Sequence, residues 1–569
     1  MQNFDSFTGL FVLIFLAWTI SEDRKRFPWR VVTWGLLLQV VFGFLVLWWE
    51  PGNRFFLKLN DVFNALLGFS QQGAVFVFNA LSIPPGQPGS MGFFFAFQVL
   101  TTIIFFSALL SVLYYLGVMQ KIVLLFAKIM AHTMKVSGAE SLSNSANIFV
   151  GQTEAPLVVR PYIEKMTRSE IMAIMVGGFA NTAGGVLGAY IAMLKGYFPN
   201  IASHLISASL LSAPAAFIFA KILVPEKETP LTMGEVKMDV EIEDANVIDA
   251  AANGTTVGWQ LAINVAAMLV SFVALLAMMN LGVSWYGDFF RTWHGFAFIN
   301  AMASAAILSF IAIEKFGSPR EVLTWSTLAV LAVVCMAAKF LAPQHVRYFF
   351  LVGLSAWLPM FFQTDRPKTI GLRGWGSVLG IIAVSNLAYI GIGPLESSST
   401  LTIELILGWI HWPIAFIMGV PAADCLTIGK YLGEKLILTE FTAYFHLAGH
   451  LGEIAKGNAA ALDPRSIVIL TYALCGFANF ASIAIQIGGI APLAPSRRHD
   501  IARLGFKAMV GGALATYMIA CIAGMFYTGH SMLGDVQAVA QEAADAETTP
   551  PVPPDTETAL SPADTASVP

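Results

Sequence analysis

The sequence predicts an all-α, polytopic membrane protein built around two re-entrant helical hairpins and broken helices. Three observations predict it. Only 12% of the 569 residues are charged and 56% are hydrophobic, against about 25% charged in a soluble chain; the mean hydropathy is +0.69. Apolar runs recur along the chain at about 20 residues, the length at which a helix crosses the bilayer core. The run Gly151-Gln152-Thr153-Glu154-Ala155-Pro156 then sets a carboxylate between a helix-breaking Gly and Pro inside such an apolar stretch. An ionisable group at membrane depth costs roughly 2.5–3.5 kcal/mol on insertion scales, so it marks a functional site by default.

Crossing helices are predicted over 7–20, 31–49, 92–117, 171–195, 203–223, 257–282, 293–314, 322–342, 346–364, 372–394, 466–487 and 503–530. Residues 52–82 are shorter in apolar run and mixed in character, and suit interfacial helices. So does 119–135, where Lys121, Lys128 and Lys135 punctuate the pattern. The N-terminal stretch lacks a basic region, so the first apolar run reads as a span and not a cleaved signal. Placing 137–163 and 401–450 as re-entrant, non-crossing segments puts the basic loops on one, inner side. These loops hold Arg24, Lys25, Arg26 and Arg30; Arg160, Lys165 and Arg168; Lys315 and Arg320; Arg366, Lys368 and Arg373; and Arg497, Arg498 and Arg503. Both termini then lie outside.

The domain organisation follows. Residues 1–135 hold N-terminal spans and interfacial helices, the scaffold. Residues 136–285 hold the first hairpin and its following spans, and 286–398 an inserted transmembrane region. Residues 399–532 hold the second hairpin and final spans, and 533–569 a tail without Lys or Arg that is expected to be disordered. The loop 224–255 is predominantly acidic. Net charge is −4, which gives no indication of a nucleic-acid partner. Cys335, Cys425, Cys475 and Cys521 are far apart in apolar surroundings, with neither metal-ligand nor disulfide spacing, and read as buried small hydrophobes.

Two hairpins entering from opposite sides make an inverted repeat, the architecture in which transporters form a substrate site from broken helices. The sequence carries an echo of it. Thr153-Glu154 in the first segment is matched by Thr439-Glu440 in the second. A span interrupted by Asn181-Thr182-Ala183-Gly184-Gly185 follows the first pair, and one interrupted by Cys475-Gly476-Phe477-Ala478-Asn479 follows the second. The carboxylates of Glu154 and Glu440 are acceptors and suit sugar hydroxyls. Gln152 and Asn479 both donate and accept and suit a nucleobase edge, on which Phe477 can stack. A small cation takes hard oxygens, which Asn147, the Val150 carbonyl, Asn181 and Thr182 provide.

Each of these residues has a plainer reading. Glu154 could pair with Arg160 or Lys165, and Glu440 could be an interfacial charge. Asn147 and Asn181 could cap helix ends. Asn479 could satisfy freed backbone, and Phe477 could be core. His446 and His450 near Glu440 suit a proton relay or, equally, histidines satisfied at a membrane edge. Asp424 and Lys430 could pair. Arg497 and Arg498 read as topology determinants, not anion ligands.

The segment from Asn147 to Tyr162, NIFVGQTEAPLVVRPY, resembles the first hairpin signature of the concentrative nucleoside transporter family. Lys435 to Tyr444, KLILTEFTAY, resembles its second, and 474–483 and 491–498 resemble the span and loop that follow. The resemblance covers about 1–285 and 400–530. It implies a cation-coupled nucleoside importer: a homotrimer in a bacterial-type inner membrane, moving its transport domain elevator-fashion against a static scaffold. It implies that Gln152 and Thr153 meet the base edge, with Glu154 reached directly or through water. Glu440, Asn479 and Ser482 would meet the ribose hydroxyls, and Phe477 and Val186 would line the pocket. Asn147, Val150, Asn181 and Thr182 would hold the coupling ion, sodium. Asn181 stands where the family usually has Ser or Thr, and Thr439 where it usually has Asn. No organic cofactor is implied. Proton coupling through Glu154 or Glu440 is the alternative. An intramembrane enzyme using the two carboxylates as acid and base is a remote one, lacking any nucleophile motif.

Overall fold

The computed structural model describes residues 2–85, 87–234, 244–291 and 402–527. The spans predicted at 293–314, 322–342, 346–364 and 372–394, nearly all of the predicted insertion 286–398, and the tail 533–569 lie outside the described residues. The chain divides into two units, Met1–Leu269 with His411–Pro569, and Val270–Ile410. In the second unit, Asn280 donates to both carboxylate oxygens of Glu404 at 3.0 Å and accepts from the Ile403 N–H at 2.9 Å.

Helices are numbered in order among the described residues. The first are α1 (Gln2–Thr19), α2 (Trp29–Gly43, extended by a π-helical turn Phe44–Trp48), α3 (Glu50–Phe78), α4 (Phe95–Gln98), α5 (Leu100–Tyr115) and α6 (Val118–Met134). Most of the 52–82 region is thus one helix of 29 residues, with Pro51 pre-set for its first turn, followed by a 3-10 turn Asn79–Ser82.

From there the order of elements repeats. A hairpin comes first: α7 (Gly138–Ala146), an irregular tip, a 3-10 turn Ala155–Val159 and α8 (Arg160–Ile163). A broken helix follows, α9 (Arg168–Ala180) and α10 (Gly184–Leu194), and then the long α11 (Ile201–Leu223). After α12 (Val247–Arg291) and α13 (Ile403–Ile417), the second series is hairpin α14 (Cys425–Ile437) and α15 (Glu440–Ala455), broken helix α16 (Pro464–Leu474) and α17 (Phe480–Ile490), and long α18 (Arg498–Phe526). The predicted spans 171–195 and 466–487 are therefore each two helices.

Local chemistry sets these boundaries. Ser137 and Glu140 form a capping box that starts α7, and Thr167 and Glu170 form another that starts α9. Thr439, Asp463 and Asn479 cap α15, α16 and α17 through their side chains. Two glycines allow the breaks to approach closely. A Cβ at Gly184 would lie 2.6 Å from the Phe149 carbonyl oxygen, and Gly476, at φ +139°, would set one 2.7 Å from the Ala180 carbonyl oxygen.

The apolar windows of α9–α10, α11 and α18 are 94%, 89% and 83% buried, whereas those of α2, α4–α5 and α12 are 33%, 28% and 17% buried. The first group therefore forms an inner core, and the second presents apolar side chains outward, as helices facing lipid or another apolar surface do.

Three of the five basic loops meet on one face. Glu22, in the loop after α1, accepts from Arg168 and Lys507 at 3.0 Å each. Arg497 donates to the Met166 carbonyl at 2.5 Å, and Ser496 to Glu164 at 2.9 Å. Partial burial on its own would raise the Glu22 carboxyl, yet the hydrogen bonds and charges of Arg168 and Lys507 outweigh it and hold the group below its ordinary value. The loops of Lys315 and Arg320 and of Arg366, Lys368 and Arg373 lie outside the described residues.

Candidate functional site

The two breaks cross. Residues 181–183 and 475–479 are joined where the Phe477 N–H donates to the Asn181 carbonyl at 3.3 Å, and the first hairpin tip is pinned to its own break by Gly184 N–H donating to Phe149 O at 2.9 Å. A cavity of about 1130 Å3 opens beside this crossing. Gln152, Thr153, Glu154, Val186, Glu440, Phe477, Asn479 and Ser482, all the residues assigned from the sequence to a substrate, line it, and so does Val150. Asn147, Asn181 and Thr182 do not line it and are each 1% exposed.

A polar chain runs across the wall. Glu440 is 3% exposed. Its two oxygens accept from Tyr190 Oη at 2.9 Å and Asn479 Nδ2 at 3.0 Å. The Asn479 side-chain oxygen caps α17 by accepting the Ser482 N–H at 2.8 Å. The Ser482 hydroxyl accepts from Gln152 Nε2 at 3.2 Å, and Gln152 Oε1 accepts from Gln486 Nε2 at 3.1 Å. Gln486 also donates to the Met175 carbonyl at 3.0 Å. The amide of the first hairpin and the carboxylate of the second thus belong to one network, and such networks hold their members in fixed geometry. Glu154 differs. Its carboxylate faces the cavity with no hydrogen bond or ion pair among the described residues, so the pairing with Arg160 or Lys165 is not formed.

The residues assigned to a cation sit behind the first tip. Asn147 ends α7, and both polar atoms of its buried side chain are without a hydrogen-bond partner. A buried unsatisfied polar group costs about 1–3 kcal/mol, so a hard cation that takes the amide oxygen fits this position. Asn181 ends α9 as a cap: its Nδ2 donates back to Gly177 O at 3.2 Å, and its Oδ1 accepts from the Ser212 hydroxyl. The capping reading thus describes the Asn181 side chain but not that of Asn147. Thr182 Oγ1 lies 3.5 Å from Cys475 Sγ. The Val150 N–H is used by Ala146 O at 3.0 Å.

Several plainer readings are resolved. Asp424 does not pair with Lys430; it accepts from the Asp463 N–H at 2.9 Å and Ser466 Oγ at 2.6 Å at the start of α16. His446 lies 2.6 Å from Glu434, and His450 Nδ1 2.7 Å from Tyr431 Oη, so both turn back onto α14 and neither is bonded to Glu440. Arg497 is bound to Asp500 at 3.0 Å as well as to Met166. Cys425, Cys475 and Cys521 are buried free thiols; Cys335 lies outside the described residues.

Sequence reasoning missed Tyr190, Gln486 and Lys435. Tyr190 stands one turn after Val186, and Gln486 one turn after Ser482, each a polar group on the face its predecessor shares in an otherwise apolar helix. That spacing was the available signal.

Crossed broken helices at a cavity with one polar wall, each preceded by a hairpin, define a secondary membrane transporter, and the comparisons with known proteins specify which. Residues 8–81 match the Na+ dependent nucleoside transporter N-terminus, 96–197 the nucleoside recognition (gate) family, and 204–342 with 377–524 the Na+ dependent nucleoside transporter C-terminus. The unmatched 343–376 lies inside the predicted insertion. An uncharacterised transporter of Bacillus subtilis is 36% identical over 91% of this chain and 98% of its own length. Sodium/nucleoside cotransporter 1 of Mus musculus is 32% identical over 92% of this chain, which spans 63% of that protein. The structure of CNTnw in an inward-facing substrate-bound state superposes with a TM-score of 0.68 at 34% identity, over 94% of this chain and 100% of that one. A variant of CNTnw in an outward-facing state gives 0.67 at 33% identity, over 92% and 98%. The chain belongs to the sodium-dependent nucleoside transporter family, the concentrative nucleoside transporters, and is a multi-pass membrane transporter, not an enzyme.

Proposed function

We propose that this chain is a sodium–nucleoside symporter that imports nucleosides across a bacterial-type inner membrane. The observation that carries the reading is the single cavity on which the Gln152 amide and the Glu440 carboxylate converge through Ser482 and Asn479. An amide presents a donor and an acceptor together, which matches a nucleobase edge. A carboxylate flanked by an amide and a hydroxyl matches vicinal ribose hydroxyls. Thr153 and Glu154 extend the base side, and Phe477 and Val186 supply apolar wall. Sodium takes the oxygens of Asn147 and Thr182, the Val150 carbonyl and, once Ser212 turns away, Asn181. Ion binding at Asn147 orders the first tip and so sets Gln152 to Glu154 for the nucleoside.

The hairpins are re-entrant and the two series inverted. The buried core of α9–α11, α16 and α18 supports its movement as one body, elevator-fashion. The outward apolar faces of α2, α5 and α12 suit lipid and the partner subunits of a homotrimer. Uptake of labelled uridine and adenosine into proteoliposomes tests the reading. Accumulation should follow an inward sodium gradient and collapse when sodium is equal on both sides. Uptake indifferent to sodium, or driven by a pH gradient alone, overturns sodium coupling.

A further inference from the structure

Each series of helices leaves a helix C-terminus inside the protein, α9 at Ala180 and α16 at Leu474. Such an end carries unpaired carbonyls and a partial negative charge, and favours a cation. At α16 the cation is covalent. Lys435, 0% exposed, reaches from α14 to donate to the Ala473 carbonyl at 2.7 Å and to Thr516 Oγ1 of α18 at 3.0 Å. The Thr516 hydroxyl gives its own proton to Ala513 O at 2.9 Å and so offers the ammonium a lone pair. Among the described residues no carboxylate lies within ion-pairing distance of Lys435; its partners are neutral oxygens, as around a coordinated metal ion. The charge of Glu440, five residues on, acts on Lys435 from beyond ion-pairing distance; burying an ammonium without a directly bonded carboxylate is expensive, so its retention calls for a purpose.

At α9 the construction is the same with the charge left out. The end of the helix is met by Asn181 and Thr182 of the break and by Ser212 of the long helix that follows, while Asn147, both polar atoms unpartnered, ends α7, which packs on α9. Among the described residues no lysine or arginine donates to residues 177–183. Ser212 on α11 and Thr516 on α18 are counterparts on the long helices: the Ser212 hydroxyl donates to Asn181 in the first break, and Thr516 sets its methyl against Gly476 of the second while its hydroxyl takes Lys435.

We propose that Lys435 is a tethered cation that fills, in the second series, the place a mobile sodium ion takes in the first. The proposal rests on the sodium–nucleoside reading above. Its consequence is a division of labour. The second hairpin carries its cation permanently, is helical to within two residues of its tip, and holds Glu440 ready whether or not ions are present. Only the first hairpin, irregular at its tip, responds to the gradient, and the second helix end takes no ion.

The test uses purified full-length protein with Lys435→Ala, which leaves room for a free cation, and Lys435→Met, which keeps the bulk without the charge. In proteoliposomes both variants should lose at least about 10-fold in nucleoside uptake. Methylammonium should restore Lys435→Ala about 5-fold or more and leave Lys435→Met unchanged, because a methylene chain already occupies the space. In thermal-shift titrations without nucleoside, methylammonium should stabilise Lys435→Ala and not the parent protein. Lys435→Met with parental uptake and parental sodium dependence overturns the proposal. So does a Lys435→Ala protein that no small cation stabilises or reactivates. If Lys435→Ala cannot be purified, the uptake and sodium dependence of Lys435→Met decide alone. Should the parent protein show no sodium-dependent nucleoside uptake, the functional reading falls, while the amine-induced stabilisation of Lys435→Ala still judges Lys435 separately.

Discussion

The two hairpins carry the same Thr-Glu pair and treat it in opposite ways. In the second, Thr439 caps α15 by accepting the Thr442 N–H at 3.2 Å, and Glu440 is buried with both oxygens bonded. In the first, Thr153 lines the cavity in irregular chain, and Glu154 faces it without a bonded partner. What separates a finished half-site from an unfinished one is the partners that reach each carboxylate from other helices. The second hairpin is preorganised by protein groups. The first still holds an unsatisfied amide at Asn147 and a carboxylate at Glu154 without a bonded partner among the described residues, which the proposed reading leaves to sodium and nucleoside to complete.

Removing Glu440 gives the largest expected effect. In Glu440→Ala, Tyr190 Oη and Asn479 Nδ2 lose a charged acceptor in a buried setting, at a cost of about 2–5 kcal/mol. Uptake should vanish, and the melting temperature should drop even without nucleoside. Glu154→Gln should leave the ligand-free melting temperature unchanged and weaken nucleoside-induced stabilisation by about 10-fold in apparent affinity. If Glu154→Gln destabilises the ligand-free protein as much as Glu440→Ala does, the contrast between the hairpins is broken.

Asn147→Ala comes next and has a distinctive sign. Because the amide makes no hydrogen bond, its loss should leave ligand-free stability within about 1 kcal/mol of the parent or raise it, while sodium-induced stabilisation disappears. Sodium protection that survives Asn147→Ala would move the ion elsewhere. Smaller again is Gln486→Leu, which removes one of the bonds orienting Gln152. It should lower apparent nucleoside affinity about 5-fold, worth about 1 kcal/mol, and leave the sodium response intact.

The first hairpin was legible in the sequence because its signals are local. A Gly, a Pro and a carboxylate within six residues mark a break wherever they occur in an apolar run. The Asn-bearing interruptions at 181 and 479 were legible for the same reason. Tyr190 and Lys435 were not. The partner of Tyr190 lies 250 residues away at Glu440, and those of Lys435 lie 38 away at Ala473 and 81 away at Thr516. Nothing in an α-helical tyrosine or an intramembrane lysine says which distant helix end it meets. Asp424 misled for a related reason: Lys430 was a neighbour in sequence, whereas the start of α16 was the neighbour in space. Periodicity reports a face, and only the crossing of the two series reports what lies opposite it.

The smallest effect concerns what fastens the two series together on the face of the basic loops. Glu22 receives Arg168 from the start of α9 and Lys507 from α18, one helix of each series. Its folded-state carboxyl sits below the ordinary value because those two cations outweigh the effect of burial. A depressed carboxylate stabilises the fold above its unfolded-state value, and that contribution disappears as pH falls through the lowered folded-state value. The melting temperature of the parent protein should therefore exceed that of Glu22→Gln at neutral pH and converge on it as pH falls below the usual carboxylate range. The gap should be less than about 1 kcal/mol, since the group is partly exposed, and should narrow in high salt. None of Glu22, Arg168 and Lys507 lines the cavity, so nucleoside affinity in Glu22→Gln should be unchanged at every pH. A loss of affinity that tracks the loss of stability would mean that the junction of the two series, and not the hairpins alone, sets the geometry of the site.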